Sequence, residues 1–108
     1  MTENADPLAS SRRMGQLVNA FQTSAAIGAV AKLGVADALA SGPDFPAAVA
    51  ARVGADPSAL ERVLRALSDV GIFQRLDDGR YALTPLGATL RSDVPGSVRR
   101  AAIIATDE

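Results

Sequence analysis

The stretch of residues 56–87 constrains the fold more than any other part of the chain. Asp56 can cap a helix, and Pro57 suits the first helical position, where the missing N–H of proline would be unpaired anyway. Apolar residues then recur at helical spacing, and Gly71 is placed to end the helix in a left-handed conformation. The apolar positions are Leu60, Val63, Leu64, Leu67 and Val70. We therefore expect an amphipathic helix over residues 57–70.

Two short strands and a turn are predicted after this helix. Residues 72–76 and 80–83 have the composition of strands, and the Asp78-Gly79 pair between them is typical of a type I′ turn, whose two central residues both have positive φ. A threonine followed by a proline at residues 84–85 repeats the cap-and-proline arrangement and begins a further helix. The order helix, hairpin, helix is typical of the second half of a winged helix.

A helix upstream completes a helix-turn-helix. Its pattern begins at Pro46, places Val49, Ala50 and Val53 on the inner face, and ends at Gly54. Two helices joined by so short a link form a helix-turn-helix, and the hairpin is then its wing. The fold class is therefore mainly α, a winged helix-turn-helix with a small β-hairpin and N-terminal dimerisation helices.

The first long helix, expected over residues 8–33, indicates association. One stripe contains Met14, Leu17, Val18, Phe21, Ala25 and Gly28. Between residues 25 and 31 the helix is apolar around its whole circumference, so it must be covered on every side, and so short a chain offers too little material to do this. We infer that a partner molecule covers it. The predicted interface residues are Leu17, Phe21, Ala25, Gly28, Ala29 and Ala31.

Composition excludes most catalytic chemistry. The 108 residues contain no cysteine and no histidine, which removes disulfides, thiolate nucleophiles, imidazole bases and the usual zinc ligands. The carboxylate groupings are Asp37 with Asp44, and Asp77 with Asp78, and they fall at helix ends or turns, where such residues commonly cap. No glycine-rich loop follows a strand. We assign the chain no catalytic, cofactor-binding or metal-binding residues.

The N-terminal residues carry no targeting signal that we recognise. Residues 1–13 are polar and contain no apolar core segment, so neither a signal peptide nor a membrane anchor is expected. We predict a cytoplasmic location and no membrane partner.

Charge argues against the DNA-binding role that a winged helix-turn-helix often has. Residues 50–80 contain five basic and five acidic side chains, namely Arg52, Arg62, Arg65, Arg75 and Arg80 against Asp56, Glu61, Asp69, Asp77 and Asp78. A surface that neutralises phosphates concentrates basic residues, whereas here the wing tip itself carries two carboxylates. Arg62 and Arg65 lie on the exposed face of the second helix, and Arg65 is expected to pair with Glu61 one turn away. A small winged-helix transcription regulator therefore stays the alternative, and no nucleic-acid partner is expected.

The expected organisation has four parts. Residues 1–7 form a disordered N-terminus, 8–44 a helical dimerisation segment that includes a short helix over 35–40, and 45–90 the winged helix-turn-helix. Residues 91–108 hold a turn and the start of a further helix, which is truncated before a catalytic domain. The apolar residues Val98, Ala101, Ala102 and Ala105 indicate that helix.

The residues also resemble a known family. The runs LGVADALASG and PAAVAARVGADPSALERVLRALSDVGIFQRLDDGRYALTPLGATLRSD are similar to the N-terminal dimerisation domain of small-molecule O-methyltransferases that use S-adenosylmethionine. Plant phenylpropanoid, acetylserotonin and bacterial polyketide-tailoring enzymes have this domain. The resemblance extends from about residue 16 to residue 100.

The resemblance implies a homodimer in which the N-terminal helices interlock across a two-fold axis. It also implies that the first helix reaches the partner's active site and helps to wall the pocket of a small-molecule acceptor, with Phe21 and Gln22 as the nearest candidates and Met14 after them. The methyl-donor site and catalytic histidine of the family lie in a Rossmann-like domain that these 108 residues do not contain. No activity is expected of this chain alone. A free-standing adaptor for a separate methyltransferase is a further alternative.

Overall fold

A computed structural model of the protein describes residues 6–106. Along these residues the elements are α1 (Pro7–Leu33), α2 (Val35–Ala38), α3 (Pro46–Val53), α4 (Pro57–Asp69), β1 (Phe73–Arg75), β2 (Tyr81–Leu83), α5 (Pro85–Ala88) and α6 (Arg99–Thr106). The mainly helical winged fold expected from the sequence is confirmed. Residues 1–5 of the segment predicted to be disordered lie outside the described residues, and α1 begins within that segment, at its last position.

The predicted caps set the helix boundaries. The Asp56 carboxylate accepts a hydrogen bond from the backbone N–H of Ala59 at 2.8 Å, and the Thr84 hydroxyl accepts one from the N–H of Gly87 at 3.1 Å. Each satisfies a donor that has no partner in the first turn of a helix. Gly54 ends α3 with a φ of 74°, a conformation that glycine adopts without steric cost.

The core joins the long helix to the winged helix-turn-helix. Its buried hydrophobic residues include Val30, Val35, Leu39, Val49, Leu60, Leu64, Leu67, Ile72, Phe73, Tyr81 and Leu90. The prediction that Val70 shares the apolar face of α4 with Leu60, Leu64 and Leu67 is wrong, because Val70 is 49 % exposed. The helix ends at Asp69, so Val70 is already in the C-cap position, and Ile72 beyond the turn enters the core instead.

The wing is an antiparallel pair of strands with a loop different from the one expected. Within residues 6–106 every residue with a positive φ is a glycine, so the loop has Gly79 alone at positive φ (94°) and is not a type I′ turn. Gly79 N–H donates to the carbonyl of Leu76 at 3.0 Å, and Leu76 N–H donates to the carbonyl of Arg80 at 2.7 Å. This is a three-residue loop in which a single glycine takes the left-handed position. The additional residue, Asp77, removes the need for Asp78 to adopt positive φ.

The last helix packs against α1 of the same chain. Arg99 donates from Nε to the carbonyl of Ala31 at 2.8 Å, which joins the start of α6 to the end of α1. Ala102 is half-buried against the core, whereas Ala101 and Ala105 are exposed. Val98 is 45 % exposed and lies before the helix. The predicted further helix is therefore present, and because it begins at Arg99, its inward row is Arg99, Ala102, Ile103 and Thr106.

Candidate dimerisation surface

The N-terminal half of α1 projects from the rest of the fold. Every residue from 10 to 22 is exposed, and we call this segment the arm. A helix of 27 residues is about 40 Å long, and it accounts for the elongated shape of 55 × 30 × 24 Å. The arm carries Phe21 at 74 %, Met14 at 60 % and Leu17 at 49 % exposure. Such a row of large apolar side chains, unshielded by its own chain, indicates a surface used for association.

The second half of α1 is largely covered by the same chain. Gly28 and Ala31 are buried, and a Cβ added at Gly28 would overlap the side chain of Thr106 in α6. The inference that too little material exists to cover this helix is therefore wrong at these two positions, since α6 supplies it. Ala25 and Ala29 are exposed. The structure thus divides the predicted interface residues into a covered pair and an open set that lies along the arm and just beyond it.

A second surface feature, which we call the apolar groove, lies between α1 and the start of α4 and has a volume of about 110 Å³. It is lined by Ala29, Val30, Leu33, Ala55, Asp56, Ala59, Leu60 and Val63. Sequence reasoning missed it, although the signal was present: Ala55 and Ala59 are four residues apart, and small side chains on one side of a helix start leave space between helices.

The candidates for the acceptor lid separate in the structure. Gln22 lines a cleft of about 270 Å³ between α1 and the end of α4, together with Asn19, Thr23 and Asp69. Phe21 and Met14 do not line this cleft and stand exposed on the arm. The structure therefore places Gln22 in a cleft of mixed polar and apolar lining, which also includes Ala26, Leu67 and Val70, and leaves the two apolar candidates on the open surface.

Two basic side chains of the helix-turn-helix and its wing, Arg65 and Arg80, are paired with carboxylates. Arg65 donates to Glu61 at 3.1 Å, which confirms the predicted pair. The pKa of Arg65 is raised, first by the Tyr81 hydroxyl and then by Glu61. On the wing, Arg80 contacts Asp78 at 2.7 Å, and the backbone N–H and guanidinium of Arg80 lower the pKa of that carboxyl. These two basic residues of the face that would contact DNA in a DNA-binding winged helix are therefore paired with carboxylates.

Two further carboxylates, those of Asp37 and Asp44, connect separate parts of the fold. Asp37 accepts hydrogen bonds of 2.8 Å from both the backbone N–H and the hydroxyl of Ser92. Asp44 pairs with Arg52 at 2.8 Å. Within residues 6–106, no group of three or more metal-ligating side chains could hold a metal ion. In the same range, no helix has both the length and the apolar character needed to span a bilayer.

These features define a class of protein. A winged helix-turn-helix of balanced charge, from which an apolar helical arm projects, has the properties of an association module. The chain belongs to the O-methyltransferase dimerisation domain family, whose model matches residues 15–93. This confirms the family indicated by the motifs of the winged helix.

Individual relatives agree with the family assignment. The chain is 38 % identical over 112 residues to phenazine O-methyltransferase PhzM of Lysobacter antibioticus, with all of this chain and 32 % of the relative covered. It is 37 % identical to a 3-amino-4-hydroxybenzoate 4-O-methyltransferase of Streptomyces cremeus, over 90 % of this chain and 27 % of the relative. The chain thus spans about a third or less of these relatives.

A solved structure shares the fold. CalO1, a methyltransferase in calicheamicin biosynthesis solved in its SAH-bound form, superposes with a TM-score of 0.83 at 41 % identity. The match covers 96 % of this chain and 31 % of CalO1.

Proposed function

We propose that this chain is the homodimerisation and acceptor-lid module of a methyltransferase that uses S-adenosylmethionine. The observation that carries the proposal is the exposed apolar row of the arm, which no described part of the chain covers. The family supports the kind of contact, because its model is that of a dimerisation domain. The methyl donor would bind in a catalytic domain outside these 108 residues, so the role of this chain is assembly. A cytoplasmic location stays a prediction.

The energetics of the arm favour association. Burying a large apolar side chain completely is worth about 1.5–3 kcal/mol. The exposed fractions of Met14, Leu17 and Phe21 are 60 %, 49 % and 74 %. In a two-fold dimer each contact occurs twice, and because these side chains are only about half to three-quarters exposed, the six of them contribute about 5–11 kcal/mol before costs. Association costs about 4–15 kcal/mol in lost freedom. A homodimer held by the arms is therefore physically accessible.

Sedimentation velocity across a range of concentrations tests the homodimer. We expect a species with twice the 11.1 kDa mass of one chain. Phe21→Gln should shift the equilibrium towards monomer, since it removes the most exposed large apolar side chain of the arm. Leu86→Gln is the matched control, because Leu86 is 56 % exposed but lies on α5, in the winged helix. A monomer at every concentration would contradict the proposal.

The lid role needs a protein that carries this module together with its catalytic domain. There we propose that Phe21, Gln22 and Met14 face the acceptor. Gln22→Ala should raise the KM for the acceptor and leave the KM for S-adenosylmethionine unchanged, because the methyl donor would bind outside this module. Equal effects on both constants would contradict a lid and indicate a general loss of assembly.

A further inference from the structure

We infer that the apolar groove of one copy receives Leu17 from the arm of a second copy, while Arg13 of that arm lies against Asp56 at the groove. This inference rests on the proposed homodimer and specifies which surfaces meet. The contact joins unlike surfaces of two identical chains, and a two-fold axis makes it occur twice in the dimer.

The groove suits one aliphatic side chain. Its volume of about 110 Å³ is smaller than the cavity of roughly 150 Å³ known to hold a benzene ring, so a leucine fits it better than an aromatic residue. Apart from Asp56 its lining side chains are apolar, and three of them are alanines. Leu33 at its edge is 38 % exposed, which leaves apolar surface open for a partner to cover.

The arm of the same chain is too far away to fill the groove. Leu17 and Ala29 belong to one continuous helix, in which twelve residues correspond to roughly 18 Å along the axis. Ala29 lines the groove, so Leu17 can reach such a site only on another molecule. The cleft beside Gln22 is a poorer receptor than the apolar groove, because it also contains the side chains of Asn19 and Asp69, which a leucine would leave without partners.

Charge selects the orientation of the arm. Residues 7–33 contain Arg12, Arg13 and Lys32 and no acidic residue. Arg13 lies one helical turn before Leu17, and the two residues line one surface pocket of α1. Within residues 6–106 neither Arg13 nor the Asp56 carboxylate forms an ion pair. Asp56 uses one oxygen to cap α4 and has the other available for a guanidinium.

Disulfide trapping tests the contact directly, because the native chain contains no cysteine. Leu17→Cys and Ala29→Cys are prepared as separate proteins, mixed, and oxidised. A disulfide requires Cα atoms within about 7 Å, so a bond between positions 17 and 29 can form only between chains. We expect the mixture to give a covalent dimer and each variant alone to give little.

The outcomes separate the contact from the homodimer itself. Efficient cross-linking of Leu17→Cys alone, with no gain on mixing, would show that the arms pack against each other and would overturn the groove contact while keeping the dimer. A dimer by sedimentation without a mixed disulfide would also overturn it. A monomer would overturn the proposed function together with this inference.

Two pairs of substitutions give a quantitative test in the same chain. Leu17→Ala should raise the dimer Kd at least ten-fold, whereas Leu8→Ala should change it less than two-fold, since nine residues at roughly 100° each place Leu8 on the opposite face of the helix. Arg13→Gln should raise the Kd about two- to five-fold and lose this effect when Asp56 is replaced by asparagine, which keeps the cap. Equal effects of the two leucine substitutions would overturn the groove contact.

Discussion

Gly87 offers a sharp test of how the wing is joined to the helix after it. Gly87 is buried in α5, and a Cβ added there would overlap the carbonyl oxygen of Ile72 and lie 3.3 Å from Leu83 Cδ2. Overpacking in a core costs about 1–3 kcal/mol, and the upper end applies because the obstacle is backbone. Alanine recovers about 0.5–1 kcal/mol over glycine in a helix. Gly87→Ala should therefore lower the free energy of unfolding by about 2 kcal/mol.

Thermal and urea unfolding at a fixed protein concentration measure this effect. For a domain of this size, a loss of about 2 kcal/mol corresponds to a fall in Tm of roughly 10 °C. Gly15→Ala is the control, because a Cβ there meets nothing within 4 Å and the change should stabilise the exposed arm. If Gly87→Ala is as stable as the native protein, the backbone of Ile72 can move away, and the argument from close approach is refuted.

The other predictions concern single groups. Tyr81→Phe should leave the free energy of unfolding within about 1 kcal/mol or raise it, because the buried Tyr81 hydroxyl lies near the Arg65 guanidinium without completing a hydrogen bond to it; a larger loss in urea unfolding would show that this contact stabilises the fold. The Arg91 guanidinium lowers the pKa of Asp93. Ionised Asp93 therefore stabilises the fold at pH values above the ordinary aspartate pKa of about 3.9, and this stabilisation is lost as the pH falls below that value. Melts of Asp93→Asn should accordingly be less sensitive to pH below about 4, and an unchanged slope would exclude this contribution. Arg62→Ala should cost less than about 1 kcal/mol in unfolding experiments and leave the oligomeric state unchanged, since Arg62 is exposed and does not line the apolar groove; a dimer lost by this change would place the interface on the face of α4 that carries Arg62.

Local signals specified the winged helix-turn-helix in detail. The caps at Asp56 and Thr84 and the helix end at Gly54 act within a few residues, so they can be recognised without knowledge of the rest of the fold. The hairpin was also predicted, but the predicted type I′ turn is wrong, since the turn type depends on whether Asp77 belongs to the strand or to the loop. That choice follows from the pairing register of Phe73 with Leu83.

The sequence did not predict which part of α1 the rest of the chain covers; only the tertiary structure shows this. A helical stripe from Met14 to Gly28 can be drawn from periodicity, but periodicity gives no information on where along the stripe the cover ends. The structure places α6 over Gly28 and leaves Phe21 open. The boundary between the covered and the open surface depends on α6, whose Thr106 lies against Gly28 although it is 78 residues later in the chain.

The amino-acid sequence by itself determined the elements, their caps, the family and the absence of thiol and imidazole chemistry, because each of these depends on residue identity or on neighbours along the chain. Only the tertiary structure decided which apolar residues of α1 its own chain covers, and that Ala29, Ala55 and Ala59 border one groove. The physical reason is that burial is a property of surfaces that meet in space, and the helices that meet here are far apart in sequence.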